Sequence, residues 1–231
     1  MMSRVYWELE QRTEEWYRLR HSSIGGSDSK SLFVKDLSDS SIFYRILAEQ
    51  MEDFTMDEDP FISRDMQRGI DLEPDARFQL YLETNVTFHE CGLIKNDKFD
   101  FLHLSPDGVT KDLTIATEIK CPDKKTHAEY LLKDKVPEEY VYQIVSYFYN
   151  IPTLETLYFA SYRPENNEIP LFVKELNRES ELIIGWTRAK KDTPKQPICK
   201  TINQLVEDMD SKAEELYLLL KKAHDNILNN K

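Results

Sequence analysis

Apolar positions recur at helical spacing through the first third of the chain. Residues 14–19 read as a short helix, 41–51 as an amphipathic helix, and 61–83 as a longer one. Between the first two lies HSSIGGSDSKSLF (21–33), a small, polar stretch with two glycines. Ser27 or Gly26 stands near the cap of a helix start there. Pro74 falls inside the 61–83 pattern. A proline lacks the N–H that a helix interior uses, so a break, a kink or a fresh first turn is expected at that point.

The middle of the chain then changes period. Residues 86–94, 101–104 and 114–121 read as strands, 124–133 and 138–149 as helices, and 154–162 and 171–176 as two further strands. The tail from residue 179 reads as largely helical, interrupted by KKDTPKQP (190–197). There is no repeat, no low-complexity stretch and no clear linker. The simplest organisation is one α/β domain over residues 1–231, a mixed sheet flanked by helices, with a core over about 14–176 and a helical C-terminal extension over about 177–231.

One of these strands carries chemistry. Side chains alternate along a strand, so Ile115, Thr117 and Ile119 share one face, and Ala116, Glu118 and Lys120 share the other. The isoleucine face suits a core. The opposite face holds a carboxylate and an ammonium two residues apart. Asp107 lies in a Pro-Asp-Gly turn between this strand and the 101–104 run, so a hairpin or neighbouring strands would bring Asp107 near Glu118. Two converging carboxylates repel unless a cation lies between them. With oxygen donors and no convergent His or Cys, that cation is magnesium or manganese. Taken alone, the same residues fit a surface ion pair beside an ordinary turn.

Composition bounds the partners. The chain has 231 residues, 40% hydrophobic and 11% aromatic, enough for a sizeable core. No apolar run approaches the ~20 residues that span a membrane, and the polar, acidic start MMSRVYWELEQRTEEW is unlike a signal peptide. Cys91, Cys121 and Cys199 stand far apart, which suits a reducing cytoplasm and no cysteine-held zinc or iron–sulfur site. The five histidines show no metal-ligand spacing and read as structural or surface residues. A net charge of −12 argues at face value against nucleic acid. An acidic exterior is nonetheless compatible with a locally basic groove, and much of the excess sits in EQMEDFTMDEDP (49–60), a solvated loop or a partner surface.

Further features surround the acidic cluster. Gly69, Glu73 and Arg77 fall four apart on one helical face, which makes Glu73 a candidate third carboxylate or half of a surface ion pair. Tyr140, Gln143 and Tyr147 share a face of the 138–149 helix, while Val141, Ile144, Val145 and Phe148 form its apolar side. Gln143 therefore projects beside the sheet or into solvent. WYRLRHSSIGGSDS (16–29) gathers Arg18, Arg20, Ser22, Ser23 and Ser27 around a helix start, an arrangement fit for a phosphate or merely a capped helix. Ser105 directly precedes the Pro-Asp-Gly turn.

Taken in order, W-x-x-x-R, G-x-x-x-E-x-x-x-R, S-P-D-G, E-I-K-C-P and Q-x-x-x-Y resemble the bacteriophage lambda exonuclease family, also called YqaJ-like viral recombinases, within the PD-(D/E)xK nucleases. The resemblance runs from about residue 14 to about residue 163. It implies a restriction-endonuclease-like core and a magnesium-dependent 5′→3′ exonuclease, with manganese able to substitute. Such an enzyme degrades one strand of linear double-stranded DNA to leave 3′ overhangs for annealing. By the same resemblance Asp107, Glu118 and the Ile119 carbonyl are the metal ligands, Lys120 activates or orients water, and Glu73 is the helical glutamate of the site. Arg20, Ser27, Ser105 and Gln143 match positions that hold the 5′-phosphate. A ring-shaped homotrimer, a single-strand annealing partner and a cytoplasmic location, that of the host if phage-encoded, are also implied. Two departures stand out: Pro74 follows Glu73, and Gly25 and Gly26 loosen the phosphate loop, leaving Ser22 or Ser23 as substitutes for Ser27. The other readings are an endonuclease of restriction or repair type and a non-catalytic DNA-end binder.

Overall fold

The structure, a computed structural model, describes residues 4–56, 62–189 and 194–229. In chain order its elements are β1 (Arg4–Tyr6), α1 (Glu14–Arg20), a 3-10 turn (Gly26–Leu32), α2 (Ser41–Met51), α3 (Arg64–Thr84), β2 (Leu93–Lys95), β3 (His103–Leu104), β4 (Gly108–Val109) and β5 (Ile115–Lys120). They continue with α4 (Lys124–Lys133), a short 3-10 turn (Glu138–Tyr140), α5 (Val141–Asn150), β6 (Thr156–Tyr162), β7 (Leu171–Leu176), β8 (Glu181–Trp186), β9 (Pro197–Thr201) and α6 (Ile202–Asn229). No helix among the described residues is long and apolar enough to cross a membrane.

The expected mixed sheet is present, in the order β4-β5-β6-β7. β5 runs parallel to β6, reached through α4 and α5, while β4–β5 and β6–β7 are antiparallel. A strand this central is covered on both faces. Ile119 packs with Ala76 and Leu80 of α3 and with Ala160 and Tyr162. Ala116, on the other face, joins the main core with Ile144, Val145 and Phe148 of α5 and Phe159 of β6. α5 is buried nearly all round, so Tyr147 is as inaccessible as the apolar residues beside it.

Helix starts follow the sequence signals. The side chains of Thr13, Ser40, Ser63 and Asp123 each accept a backbone N–H from the first turn of α1, α2, α3 and α4. α3 runs through Pro74 without a break and stops at Asn85, whose left-handed φ of 56° closes it. Neither a break nor a fresh first turn occurs there, and the continuous helix carries Glu73 and Arg77 one turn apart.

Four differences from the sequence expectations have physical reasons. The 86–94 run pairs only at its end, in β2, and through an isolated bridge from His89 to Val109. The 101–104 run pairs with β2 in a second sheet, β1-β2-β3, rather than with β5. The two residues of β4 supply the antiparallel partner of β5 instead, setting Gly108 opposite Thr117. In the tail, ELIIGW and PICKT form the hairpin β8–β9: a short run of isoleucines and an aromatic residue suits a pleated strand, and Leu182 is buried. Among its described residues the C-terminal region is thus helical only from Ile202. There Leu205, Met209, Ala213, Leu216 and Leu220 recur at three- and four-residue spacing and pack into the main core. Residues 57–60 of the acidic run, residue 61 and residues 190–193 lie outside the described residues.

Candidate active site

The switch of the chain from β3 to β4 places Asp107 across from Glu118. The Asp107 carboxylate accepts the Ile119 backbone N–H at 2.7 Å, and its own N–H donates to the Tyr147 hydroxyl at 3.3 Å. Glu118 is 1% exposed. It accepts Gln143 Nε2–H at 2.7 Å and lies 2.8 Å from the Tyr147 hydroxyl. The Lys120 ammonium sits 2.5 Å from Glu118 Oε1, 3.4 Å from Gln143 Oε1 and 4.7 Å above the Tyr140 ring. The turn into β4, strand β5 and helix α5 therefore hold Asp107, Glu118, Lys120 and Gln143 in one cluster. Gln143 is part of its wiring, not a solvent-facing helix residue.

The electrostatics show strain among the acids. Burial raises the Asp107 pKa well above the usual carboxylate range, and the charges of Glu118 and Glu73 raise it further. Burial alone lowers the Lys120 pKa, but Glu118 and Asp107 outweigh it and hold the ammonium above its ordinary value. Beside the carboxylates alone Lys120 therefore stays protonated; a cation among these acids would oppose that, because like charge lowers an ammonium pKa. Tyr147 is likewise held protonated by burial and by the same two acids.

Glu73 and Arg77 approach from α3. Arg77 ion-pairs with Glu73 and Glu90 and donates to the Asp107 carbonyl at 2.8 Å. Burial raises the Glu73 pKa, with Arg77 opposing. Arg77 thus does more than pair within its helix: it pins the backbone of the Asp107 turn. A lysine cannot serve three acceptors as one fork. Arg77→Lys is expected to lower kcat/KM roughly 10–100-fold, as loss of a supporting contact typically does, with a smaller change in melting temperature. Steady-state kinetics beside thermal unfolding checks this.

The residues matched to a phosphate separate into two groups. Arg18 points outward, paired with Glu14 and over Phe54. Ser27 is exposed on the 3-10 turn. The Ser22 N–H donates to Glu49 at 2.9 Å. Ser23 is buried, its hydroxyl 2.6 Å from the Arg20 carbonyl and 2.8 Å from His103 Nδ1. Arg20 stacks 3.8 Å from the Trp16 ring centroid. Trp16 Nε1–H donates to the Gly92 carbonyl and reaches Ser105 Oγ at 3.3 Å. Ser105, Trp16 and Arg20 are therefore contiguous with the Asp107 turn. The two glycines do not loosen the loop. Both are buried, and a Cβ on Gly26 would meet Ser146 Oγ at 2.8 Å and Leu104 Cδ1 at 2.9 Å. Small size is required there because the 3-10 turn presses against α5 beside Gln143.

A model of the YqaJ-like viral recombinase domain matches residues 15–150. The chain belongs to the YqaJ-like viral recombinase family. Every candidate site residue lies within the matched span. Among solved structures, the alkaline exonuclease LHK-Exo from Laribacter hongkongensis superposes with a TM-score of 0.71 at 22% identity, over 94% of this chain and 97% of that one. Its complex with dAMP gives 0.72 at the same identity and coverage. A phage-related exonuclease from Haemophilus somnus 129PT gives 0.54 at 13% identity, over 90% and 98% of the two chains. These likenesses establish the shared PD-(D/E)xK-type fold. The chain matches none of the curated proteins compared with it.

Sequence reasoning undervalued two residues of this cluster. Tyr147 ties the Asp107 N–H to Glu118, and Arg77 ties the Asp107 carbonyl to α3. The four-residue steps Gln143–Tyr147 and Glu73–Arg77 were the available signal. The contacts themselves depend on β4 pairing with β5, which two residues of sequence do not announce.

Proposed function

We propose that the chain is a divalent-metal-dependent nuclease that degrades one strand of linear double-stranded DNA from its 5′ end, leaving 3′ overhangs for strand annealing. The observation that carries this is contiguity. The cluster of Asp107, Glu118 and Lys120 meets, through Gln143 and the Gly25–Gly26 turn, an Arg20 guanidinium that has no hydrogen-bonded or ion-paired acceptor among the described residues. A hydrolytic centre beside an unpaired cation suits chemistry at a strand terminus.

The donor set fits magnesium or manganese. Among the described residues no three His, Cys, Asp or Glu side chains form a ready cage. Asp107 and Glu118 nonetheless crowd each other at a cost that a dication between them removes. Asp107, Glu118 and the Ile119 carbonyl would hold the ion. When bound, it supplies an acidified water and neutralises charge on the phosphodiester. Lys120, fixed by Glu118, Gln143 and Tyr140, donates to and orients the attacking water. Tyr147 keeps Glu118 aimed, and Arg77 keeps the Asp107 turn in place. Glu73 adds negative charge at the rim. Arg20, with Ser105 and the exposed Ser27, takes the terminal phosphate.

The test compares linear and covalently closed circular duplexes, each with magnesium and with chelator. Loss of linear DNA only, only with metal, and with the 5′ label released first, is the expected result. Nicking of the closed circle would establish the endonuclease reading. A mobility shift without product would establish the end binder.

A further inference from the structure

The chain carries a net charge of −12, yet one stretch near the candidate centre is basic: residues 186–197 hold Arg188, Lys190, Lys191 and Lys195 against Asp192. It joins the two strands of the hairpin β8–β9. Pairing runs one step past Trp186, where the Thr187 N–H donates to the Gln196 carbonyl and the Gln196 N–H to Thr187 Oγ1, both at 2.9 Å. Arg188 and Lys195 are the next residues on the two arms, and both are exposed. Neither they nor Lys135 nearby have an acidic partner among the described residues. The acids of the neighbourhood are already engaged. Glu138 accepts Trp186 Nε1–H at 2.9 Å, Glu139 accepts the Tyr130 hydroxyl at 3.3 Å, Glu129 pairs with Lys133, and Asp134 pairs with Lys174. Like charges gathered at the end of a hairpin cost stability, and an anion among them removes that cost.

Trp186 indicates which kind of anion. It is 44% exposed, its N–H is taken by Glu138, and Lys135 Nζ lies 5.6 Å from its ring centroid. What the indole still offers is ring surface beside cations. That combination suits single-stranded nucleic acid, whose phosphates meet the cations while an unpaired base stacks on the aromatic face. A duplex keeps its bases stacked on one another and presents only phosphates. The location fits as well. The 3-10 turn Glu138–Tyr140 carries the Trp186 acceptor at its first residue and, at its last, the ring that Lys120 sits above at 4.7 Å. We propose that the end of the β8–β9 hairpin, through Trp186, Arg188, Lys195 and the adjoining Lys135, binds single-stranded DNA, namely the 3′-ended strand left when its complement is degraded. This rests on the strand-degrading reading above and adds to it a hold on the product strand close to the centre.

Oligothymidylate titrated into the whole chain in chelator, followed by tryptophan emission, tests this without cleavage. Stacking on Trp186 is expected to quench part of the emission. Trp186→Ala is expected to abolish that part and to weaken binding about tenfold, one stacked base. Arg188→Ala and Lys195→Ala should each weaken binding and reduce the slope of log affinity against log salt by about 0.7, one phosphate contact on a single strand. Both side chains are exposed, so these two variants decide the matter even where the tryptophan variant melts early. Unchanged affinity and salt slope in both would overturn the proposal. A blunt duplex of the same length that binds as tightly, and loses as much in the same variants, would overturn it too, because the hairpin would then hold duplex backbone. Nicking of closed circles would sink the exonuclease reading, and the titration would still decide whether the hairpin holds single strands.

Discussion

Asp107→Asn should reduce metal-dependent cleavage by ~10²-fold or more while leaving the protein at least as thermally stable as its parent. The two effects have one origin. In the absence of metal, burial and the neighbouring charges of Glu118 and Glu73 raise the Asp107 pKa well above its ordinary value. A carboxyl whose folded pKa is raised binds more protons folded than unfolded, so stability declines as pH rises above the unfolded value and through the folded one. The amide removes that decline. It also keeps the local structure, because its carbonyl oxygen accepts the Ile119 N–H that the carboxylate accepts at 2.7 Å. Unfolding in chelator at about pH 5 and about pH 8 checks this: the advantage of the amide should grow toward the higher pH. Magnesium should stabilise the parent and not the variant, since only the parent gains relief of like-charge crowding. A variant that cleaves at near-parental rates would place the chemistry elsewhere. A variant less stable at the higher pH would mean that the Asp107 charge is already compensated.

Much of the architecture was legible in the sequence for specific reasons. β5 announced itself by alternating β-branched residues, and α2 and α5 by apolar period. Asp107, Glu118 and Lys120 were legible as candidates because a strand fixes which residues share a face, and because their spacing belongs to a recognised family pattern. Three things were not legible. The pairing of β4 rests on two residues, too few to carry a period. The hairpin β8–β9 follows a polar, charged stretch that resembles helix surface, and its strand character depends on a partner sixteen residues away at Ile183–Cys199. The tolerance of α3 for Pro74 is a tertiary effect: Ala76 and Leu80 lock the helix against the sheet on the C-terminal side of the proline.

Lys120→Met should lose at least ~10²-fold in turnover, the low end of what a proton-handling group contributes, and unlike Asp107→Asn it should also destabilise the metal-free protein. Glu118 is 1% exposed and its charge is matched by the ammonium at 2.5 Å. Removing one partner of a buried ion pair strands the other and costs roughly 3 kcal/mol; the 24% exposure of the Lys120 side chain reduces this somewhat. Gln143 and Tyr147 still donate to Glu118, which sets a floor to the loss. The raised Lys120 pKa means that its stabilising charge is present below the unfolded value, about 10.4, and is lost only as pH rises through the folded value, so the effect should be flat across neutral pH. Divalent metal offers Glu118 a replacement cation and should restore most of the lost stability without restoring turnover. The variant pairing Glu118→Gln with Lys120→Met removes both charges, and Gln143 can turn its carbonyl to the new amide once Lys120 is gone. Its melting temperature in chelator should return most of the way to that of the parent. A double variant no more stable than Lys120→Met alone would mean that the ion pair is not what Lys120 contributes to the fold. Lys120→Arg separates charge from chemistry: a guanidinium preserves the pairing with Glu118 but has a different shape and does not release a proton at working pH, so stability should survive while turnover does not. Retained turnover in that variant would reduce Lys120 to a charge that organises Glu118.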